Sequence, residues 1–167
     1  LNEGDLVLID AGCELECYAS DITRTFPVSG KFSHEQRALY EVVLAAQYAA
    51  IEEVRPGNHW DHPHQAALKV LTQGLIDLGL EQAFKPFFMH RTGHWLGLDV
   101  HDVGDYKVGD AWRELEPGMA LTVEPGLYVA PDNTSVDEKW RGIGIRIEDD
   151  VVVTKEGCRV LTDAVPK

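Results

Sequence analysis

The segment from residue 89 to residue 102 most constrains the fold, because it interleaves ionisable and apolar side chains. It holds two aspartates and three histidines, and His90, His94 and His101 are separated by four and then seven residues. The apolar residues between them predict a segment that is at least partly buried. A single histidine there would be explained by a hydrogen bond in the core. Three favour a site that binds metal or moves protons, because neutral imidazole does both near pH 7.

Composition limits the class of protein. The chain has 167 residues, enough for one domain with a sizeable core, and residues 1–167 are interpreted as a single domain. A net charge of −13 argues against a nucleic-acid surface, and no apolar run approaches a membrane span. Three cysteines without a CxxC pair predict free thiols and a reducing, cytoplasmic location. A start without Met, leading directly into a strand, is typical of a piece of a longer chain.

A β-hairpin predicted over residues 5–26 carries two aspartates in apolar surroundings. If it turns about Leu15, Asp10 and Asp21 lie almost directly opposite one another, with Cβ atoms roughly 4.5–5.5 Å apart. Like charges at that distance are destabilising, so the pair would share a proton, contact a base such as Arg24, or hold a divalent cation. The alternative is that Asp21 is only a loop acid.

Two helices are predicted after the hairpin. A capping-box pattern at 33–36 begins an amphipathic helix that extends to about residue 54. A second helix runs from about residue 65 to residue 78, with Gly79 ending it. The three histidines within 58–64 are interpreted as polar residues at the start of that helix, although a surface metal site is the alternative.

The second half predicts antiparallel strands that end in acids. Residues 119–123 form an apolar strand followed by Glu124, and residues 142–148 place Arg146 and Glu148 on one face and three isoleucines on the other. A carboxylate at the end of an apolar strand is costly unless it is paired. With two further strands at the end of the chain, the order of elements predicts an α+β fold, with helices over one face of a mainly antiparallel sheet.

The ionisable side chains that lie in apolar strand contexts are Asp10, Asp21, His94, Glu124 and Glu148. Four carboxylates and one imidazole suit Mn²⁺, Mg²⁺, Co²⁺ or Zn²⁺, and they exceed what one ion needs. Two ions roughly 3.5–4 Å apart would activate a bridging water and polarise a carbonyl or phosphoryl group. His90 and His101 remain for proton transfer and for hydrogen bonds to a tetrahedral intermediate.

The sequence resembles the catalytic domain of the Xaa-Pro aminopeptidases, which belong to the pita-bread group with prolidases and methionine aminopeptidases. The matching motifs lie in the family's order and cover essentially the whole chain, at residues 8–12, 20–26, 90–102, 123–126 and 142–150. The resemblance implies a pita-bread fold, with a curved, mainly antiparallel sheet and helices on its outer face. It also implies that the fold's N-terminal part is missing, including helices, a strand and a further active-site histidine.

The resemblance assigns a role to each matched position. Asp10 would bind one metal ion, Asp21 and Glu148 would bridge two, and His94 and Glu124 would complete the second. On the substrate side, His90 and His101 would contact the peptide around the scissile bond, with His101 near the carbonyl oxygen. Arg146 would orient the carboxylates, as residues behind metal ligands commonly do.

The activity implied is hydrolysis of the N-terminal Xaa-Pro bond by a bridging water between two ions, most often Mn²⁺. Peptides with proline at the second position would be the substrates, and the protein would form a homo-oligomer. Trp95, directly after His94, favours the aminopeptidases over the prolidases. The alternatives are a Xaa-Pro dipeptidase of the prolidase type and a non-catalytic pita-bread module that binds peptides or partners. The complete ligand set disfavours the module, and the missing upstream part favours it.

Overall fold

A computed structural model describes residues 1–80 and 87–167, and its paired strands are antiparallel throughout. The helices of the described residues include α1 (His34–Glu52) and α2 (Asp61–Asp77). The strands are β1 (Leu6–Ala11), β2 (Glu14–Leu15), β3 (Tyr18–Ala19), β4 (Ile22–Pro27), β5 (Lys107–Val108), β6 (Ala111–Trp112), β7 (Ala120–Val123), β8 (Gly126–Tyr128), β9 (Gly144–Arg146), β10 (Asp149–Val153) and β11 (Cys158–Val160). β10 lies between β11 and β7, and β1 with β4 and β8 with β9 form separate pairs.

The register of the first hairpin differs by two residues from the prediction. Asp10 pairs with Thr23 rather than with Asp21, because the turn is made by Glu16 and Cys17. Both turn residues have positive φ, 52° and 68°, which is the backbone of a type I′ hairpin turn. A register shift of two leaves every side chain on the same face. Asp10 and Asp21 therefore stay on one face, as diagonal rather than opposite neighbours.

Both predicted helices form, and the second begins earlier than predicted. The Ser33 hydroxyl accepts from the Gln36 amide at 3.1 Å, and the Gln36 side chain accepts from the Ser33 amide at 2.9 Å, so the capping box of α1 is confirmed. α2 begins at Asp61, four residues earlier than predicted, with Pro63 in its first turn. The histidine-rich segment is thus the polar start of a helix. Gly79, with a φ of 72°, follows its end.

The core lies between the two helices and the strands of the second half. The largest apolar side chains that are at most 1% exposed include Leu39, Val43, Leu71, Leu75, Phe87, Leu115, Leu127, Ile145 and Ile147. The predicted arrangement of helices over a mainly antiparallel sheet is confirmed by this packing. Among the described residues, no helix is long and apolar enough to cross a membrane.

The predicted strand over 142–148 is shorter than expected, and its end positions an acid. β9 stops at Arg146. The backbone amides of the next two residues pair with other segments. The Ile147 amide donates to the Pro125 carbonyl at 3.4 Å, and the Glu148 amide donates to the Thr23 carbonyl at 3.1 Å. These hydrogen bonds place Glu148 beside β4, on the side where the aspartates of the first hairpin lie.

Candidate metal centre

Backbone pairing between separate segments brings the five predicted ligands together. The segment that holds His94 runs beside β7, where the Thr122 amide donates to the His94 carbonyl at 3.0 Å and the Glu124 amide donates to the Thr92 carbonyl at 2.9 Å. Gly93 is required there, because a Cβ at this position would lie 2.1 Å from the Thr122 carbonyl oxygen. Glu124 therefore faces the histidine segment at the end of an apolar strand.

Ligand atoms of the five predicted ligands, and of His101, which was predicted to contact substrate, fall into overlapping groups; within each group all atoms lie within 4.8 Å of one another. Those groups are Asp10 with Asp21 and Glu148, His94 with Glu124 and Glu148, and Asp21 with His94 and His101. Glu148, Asp21 and His94 each belong to two of them. The geometry therefore suits two neighbouring cations with shared carboxylates, although the assignment of each ligand stays a prediction.

The imidazole of His94 is oriented for a cation. Its Nδ1 lies 2.9 Å from the Trp95 carbonyl, which only accepts, so Nδ1 carries a proton. In the neutral ring Nε2 then presents a lone pair, and it points at carboxylate oxygens of Asp21 at 3.3 Å and Glu124 at 3.7 Å. A lone pair facing acids at these distances fits a site in which a positive ion lies between them.

The carboxylates of this cluster have too few neighbouring positive charges to balance them. Burial, together with the charges of Glu124, Asp21 and Asp10, raises the pKa of Glu148 to about 8. A hydrogen bond from Thr23 acts in the opposite direction and lowers it. Burial likewise raises the pKa of Glu124 to about 7, with the nearby Arg146 opposing the shift. Carboxylates in such surroundings either hold protons or hold cations. The residues present therefore fit a divalent metal site.

Arg146 links two carboxylates of the cluster. Its guanidinium donates to the Asp10 carboxylate and, at 3.1 Å, to the hydroxyl of Thr23. That hydroxyl in turn donates to Glu148 at 2.5 Å. Arg146 thus contacts one predicted ligand directly and a second through Thr23, which is the position that an orienting residue needs.

Tyr128 extends this network to His90, and the sequence reasoning did not identify it. Arg146 donates to the Tyr128 hydroxyl at 3.2 Å, and that hydroxyl lies 2.8 Å from Nε2 of His90. Nδ1 of His90 donates to the Arg91 carbonyl at 2.7 Å, so Nε2 accepts from the tyrosine. Burial lowers the pKa of His90, which keeps the ring neutral. The sequence feature that could have identified Tyr128 is the position of a tyrosine within the strand that follows Glu124.

His101 lies beside His94, and it is exposed. The centroids of the two rings are 4.1 Å apart. Its place in one of the ligand groups leaves two roles open, as a ligand or as a residue that contacts substrate.

Arg24 does not neutralise the aspartates of the first hairpin, for which it was one candidate base. It forms an ion pair with Asp149 at 2.8 Å. Asp10 contacts Arg146 instead. Burial and the neighbouring Asp10 raise the pKa of Asp21, while His94 opposes the shift. The predicted contact with a base is therefore made by Asp10 with Arg146, and the pair can also share a proton or hold a divalent cation.

The histidines before α2 lie outside this cluster. His59 and His62 stack on each other with centroids 5.3 Å apart. His64 is hydrogen-bonded to the hydroxyl of Thr92 at 2.9 Å and stacks on Phe88. His64 thus supports the back of the histidine segment, whereas its two neighbours remain near the surface.

Comparison with known proteins gives consistent relatives. The model of metallopeptidase family M24 matches residues 1–155. The chain is 54% identical to a Xaa-Pro aminopeptidase of Haemophilus influenzae, covering all of this chain and 41% of that protein. It is 51% identical to the Xaa-Pro aminopeptidase of Escherichia coli, with 40% of that protein covered. The chain therefore spans about two fifths of the length of these curated relatives.

Solved structures agree with the expected fold. The structure of Pseudomonas aeruginosa aminopeptidase PepP matches with a TM-score of 0.96 and 61% identity, over all of this chain and 40% of that one. A variant of Escherichia coli aminopeptidase P in complex with substrate matches with a TM-score of 0.92 and 50% identity, over the same shares. The pita-bread fold inferred from the sequence is thereby confirmed. With a family model matched over most of its length and an acid-rich cluster suited to divalent metals, this chain belongs to metallopeptidase family M24.

Proposed function

We propose that this protein is a Xaa-Pro aminopeptidase, which removes the N-terminal residue from peptides with proline at the second position. The observation that carries the proposal is a cluster in which the carboxylates of Asp21, Glu124 and Glu148 lie within 4.0 Å of Nε2 of His94, with Asp10 grouped beside Asp21 and Glu148. The names of the relatives in Haemophilus influenzae and Escherichia coli support the substrate class. Residues 1–167 would act as one catalytic domain.

Asp10, Asp21, His94, Glu124 and Glu148 would hold the metal, with Mn²⁺ the expected ion. When bound, two divalent cations supply a water activated as nucleophile and a polarised scissile carbonyl. Oxygen-rich donor sets with one imidazole support manganese over softer metals. The chain's own residues prepare this site, because Arg146 and Thr23 fix two of the carboxylates before any ion arrives.

His90 and His101 would act on the substrate side. His90 is neutral and accepts from Tyr128, whose hydroxyl is held by Arg146, so the ring is fixed beside Glu124, with Nδ1 3.9 Å from its carboxylate. The Nδ1–H that donates to the Arg91 carbonyl would turn to a developing oxyanion, or exchange a proton with it, when a peptide binds. His101 is exposed next to His94, and it would contact the carbonyl oxygen of the substrate from there.

Location and assembly are parts of the same proposal. The free cysteines Cys13, Cys17 and Cys158 support a reducing compartment, and we place the protein in the cytoplasm. A homo-oligomer is the proposed assembly. Nucleic acid is not an expected partner, because the net charge of −13 would repel phosphate groups.

The test is hydrolysis of a Xaa-Pro-Yaa tripeptide and of a Xaa-Pro dipeptide with added Mn²⁺, beside a Glu148→Ala variant. Cleavage of the tripeptide alone is the expected result, whereas cleavage of the dipeptide alone would indicate a prolidase. Tight Mn²⁺ binding without turnover of either peptide would indicate an incomplete or non-catalytic domain. If Glu148→Ala leaves metal content and activity unchanged, the assignment of the site is wrong.

A further inference from the structure

Arg24 uses its whole guanidinium to join separate segments behind the metal centre. A guanidinium has five N–H donors. Nε donates to the Pro166 carbonyl at 3.0 Å, Nη1 donates to the carbonyls of Thr23 at 2.9 Å and Glu148 at 2.6 Å, and Nη2 donates to Asp149 at 2.8 Å and to the Val165 carbonyl at 2.9 Å. Every donor therefore has an acceptor, and the acceptors lie on β4, at the start of β10 and in residues 165–166.

Asp149 anchors the far side of this cluster. Its carboxylate is fully buried, and besides Arg24 it accepts from Lys167 at 2.6 Å, from the Thr162 hydroxyl at 2.7 Å and from the side chain of Gln47. Asp149 is therefore a fixed negative charge against which Arg24 is held.

Glu148 lies between this cluster and the metal centre. Its carbonyl accepts from Arg24, its amide donates to the Thr23 carbonyl at 3.1 Å, and its carboxylate accepts from the Thr23 hydroxyl at 2.5 Å. The Thr23 carbonyl also accepts from Arg24. The backbone and the side chain of Glu148 are thus both fixed through a path that includes Arg24.

We infer that Arg24 is a positioning residue for Glu148, acting from behind the metal centre and anchored by Asp149 and residues 162–167. This rests on the proposed function, in which Glu148 is a metal ligand. Lysine cannot replace Arg24, because an ammonium has three N–H groups around one point and cannot reach five acceptors on three segments. Arg24 itself touches neither substrate nor metal in this scheme.

The experiment compares Arg24→Lys with Arg141→Lys in the full protein. Arg141 is a matched control, since it is also half-buried and donates twice to a backbone carbonyl, that of Val136 at 3.1 and 2.9 Å. Mn²⁺ affinity is measured by isothermal titration calorimetry, kcat and KM with a Xaa-Pro-Yaa tripeptide, and the melting temperature without metal.

The expected result separates positioning from general stability. Arg24→Lys weakens Mn²⁺ binding and lowers kcat by about 10–100-fold, as loss of a residue behind a metal ligand does. KM changes by less than about twofold, because the substrate contacts are intact. Arg141→Lys lowers the melting temperature without changing Mn²⁺ affinity.

Two results would contradict the inference. One is an Arg24→Lys variant that loses stability as Arg141→Lys does but keeps its Mn²⁺ affinity. If Arg24→Lys does not fold, Asp149→Asn decides, because it removes the charge that holds Arg24 in place and leaves the side chain of Glu148 unaltered. The second contradicting result is an Mn²⁺ affinity that stays unchanged in that variant. An unmodified protein that neither binds Mn²⁺ nor cleaves the tripeptide would instead overturn the proposed function.

Discussion

Glu148 and Asp149 are neighbours in the chain and are equally buried, at 1% and 0% exposed, yet their carboxylates meet opposite surroundings. Glu148 faces Glu124, Asp21 and Asp10, and burial together with these charges raises its pKa to about 8. Asp149 faces Arg24 and Lys167. Burial raises its pKa, but the hydrogen bonds from these cations and from Thr162 outweigh that and lower it.

The difference shows that two consecutive residues, Glu148 and Asp149, serve two different purposes where β10 begins. Consecutive side chains point to opposite sides of an extended chain, so Asp149 reaches a cluster whose charges are balanced within the protein, while Glu148 reaches one that is not. Balanced buried charges hold segments in place. Uncompensated ones reduce the stability of the metal-free fold and are retained where a cation or a reaction needs them.

Glu148→Gln gives the largest expected effect on function. The variant loses a metal-binding oxygen, so activity on a Xaa-Pro-Yaa tripeptide falls about 1000-fold, which corresponds to several kcal/mol of lost transition-state stabilisation. Without metal, the same change removes a buried acid from a group of acids, so the protein is stabilised by about 1 kcal/mol, or about 2–4 °C. Activity assays and melting curves in chelator measure the two effects.

The control for this variant is Glu156→Gln, at an exposed position in the turn before β11. It should change neither quantity. A Glu148→Gln protein that melts at a lower temperature than the parent in chelator would contradict the view that Glu148 is uncompensated there.

Asp149→Asn gives the largest expected effect on stability. It leaves the cationic side chains of Arg24 and Lys167, 11% and 14% exposed, without their buried counter-charge, and breaking such an ion pair from one side costs about 3 kcal/mol. Urea unfolding in chelator measures the change. Asp132→Asn, at an exposed site, should be neutral. An Asp149→Asn protein as stable as the Asp132→Asn control would show that the cluster contributes nothing net.

The two carboxylates should also give opposite dependences of stability on pH in the metal-free protein. Between its ordinary pKa of 4.5 and about 8, Glu148 holds a proton in the folded state that the unfolded state has released. Its contribution is complete below 4.5 and is lost as pH rises through about 8. The pKa of Asp149 is lowered from 3.8, so its contribution is complete above that value and is lost as pH falls below it.

Urea midpoints in chelator, measured from about pH 3 to about pH 9, test this contrast. Glu148→Gln should flatten the alkaline side of the curve and Asp149→Asn the acidic side. Added Mn²⁺ should restore stability at alkaline pH, because it binds the ionised acids. If the loss of stability at alkaline pH persists unchanged in Glu148→Gln, it is caused by other groups.

Much of the fold could be predicted because its signals are local. Ser33 and Gln36 form a capping box within one turn, and the alternating isoleucines of residues 143–147 are all buried. The hairpin register was wrong because Glu16 and Cys17 adopt positive φ, which their residue types do not announce. The error changed no side-chain orientation, since it was an even number of residues.

The candidate ligands could be proposed because acids at the ends of apolar strands are locally conspicuous. The residues behind them could not, since their roles depend on partners distant in the chain. Thr23 is tied to Glu148, 125 residues away, and Tyr128 to His90, 38 residues away. Arg24 was considered for the aspartates of its own hairpin, and only the fold shows that its charge is used by Asp149.

Lys167→Met gives the smallest expected effect and tests how much of the balance at Asp149 depends on one cation. Nζ of Lys167 lies 2.6 Å from Asp149, but Arg24, Thr162 and Gln47 still contact the carboxylate in the variant. The free energy of unfolding should therefore fall by about 1.5 kcal/mol, the lower end for one hydrogen bond to a charged group, and by less than in Asp149→Asn. Urea unfolding in chelator measures both, with Lys155→Met as the exposed control. A loss as large as that of Asp149→Asn would mean that Lys167, rather than Arg24, holds the charge balance behind Glu148.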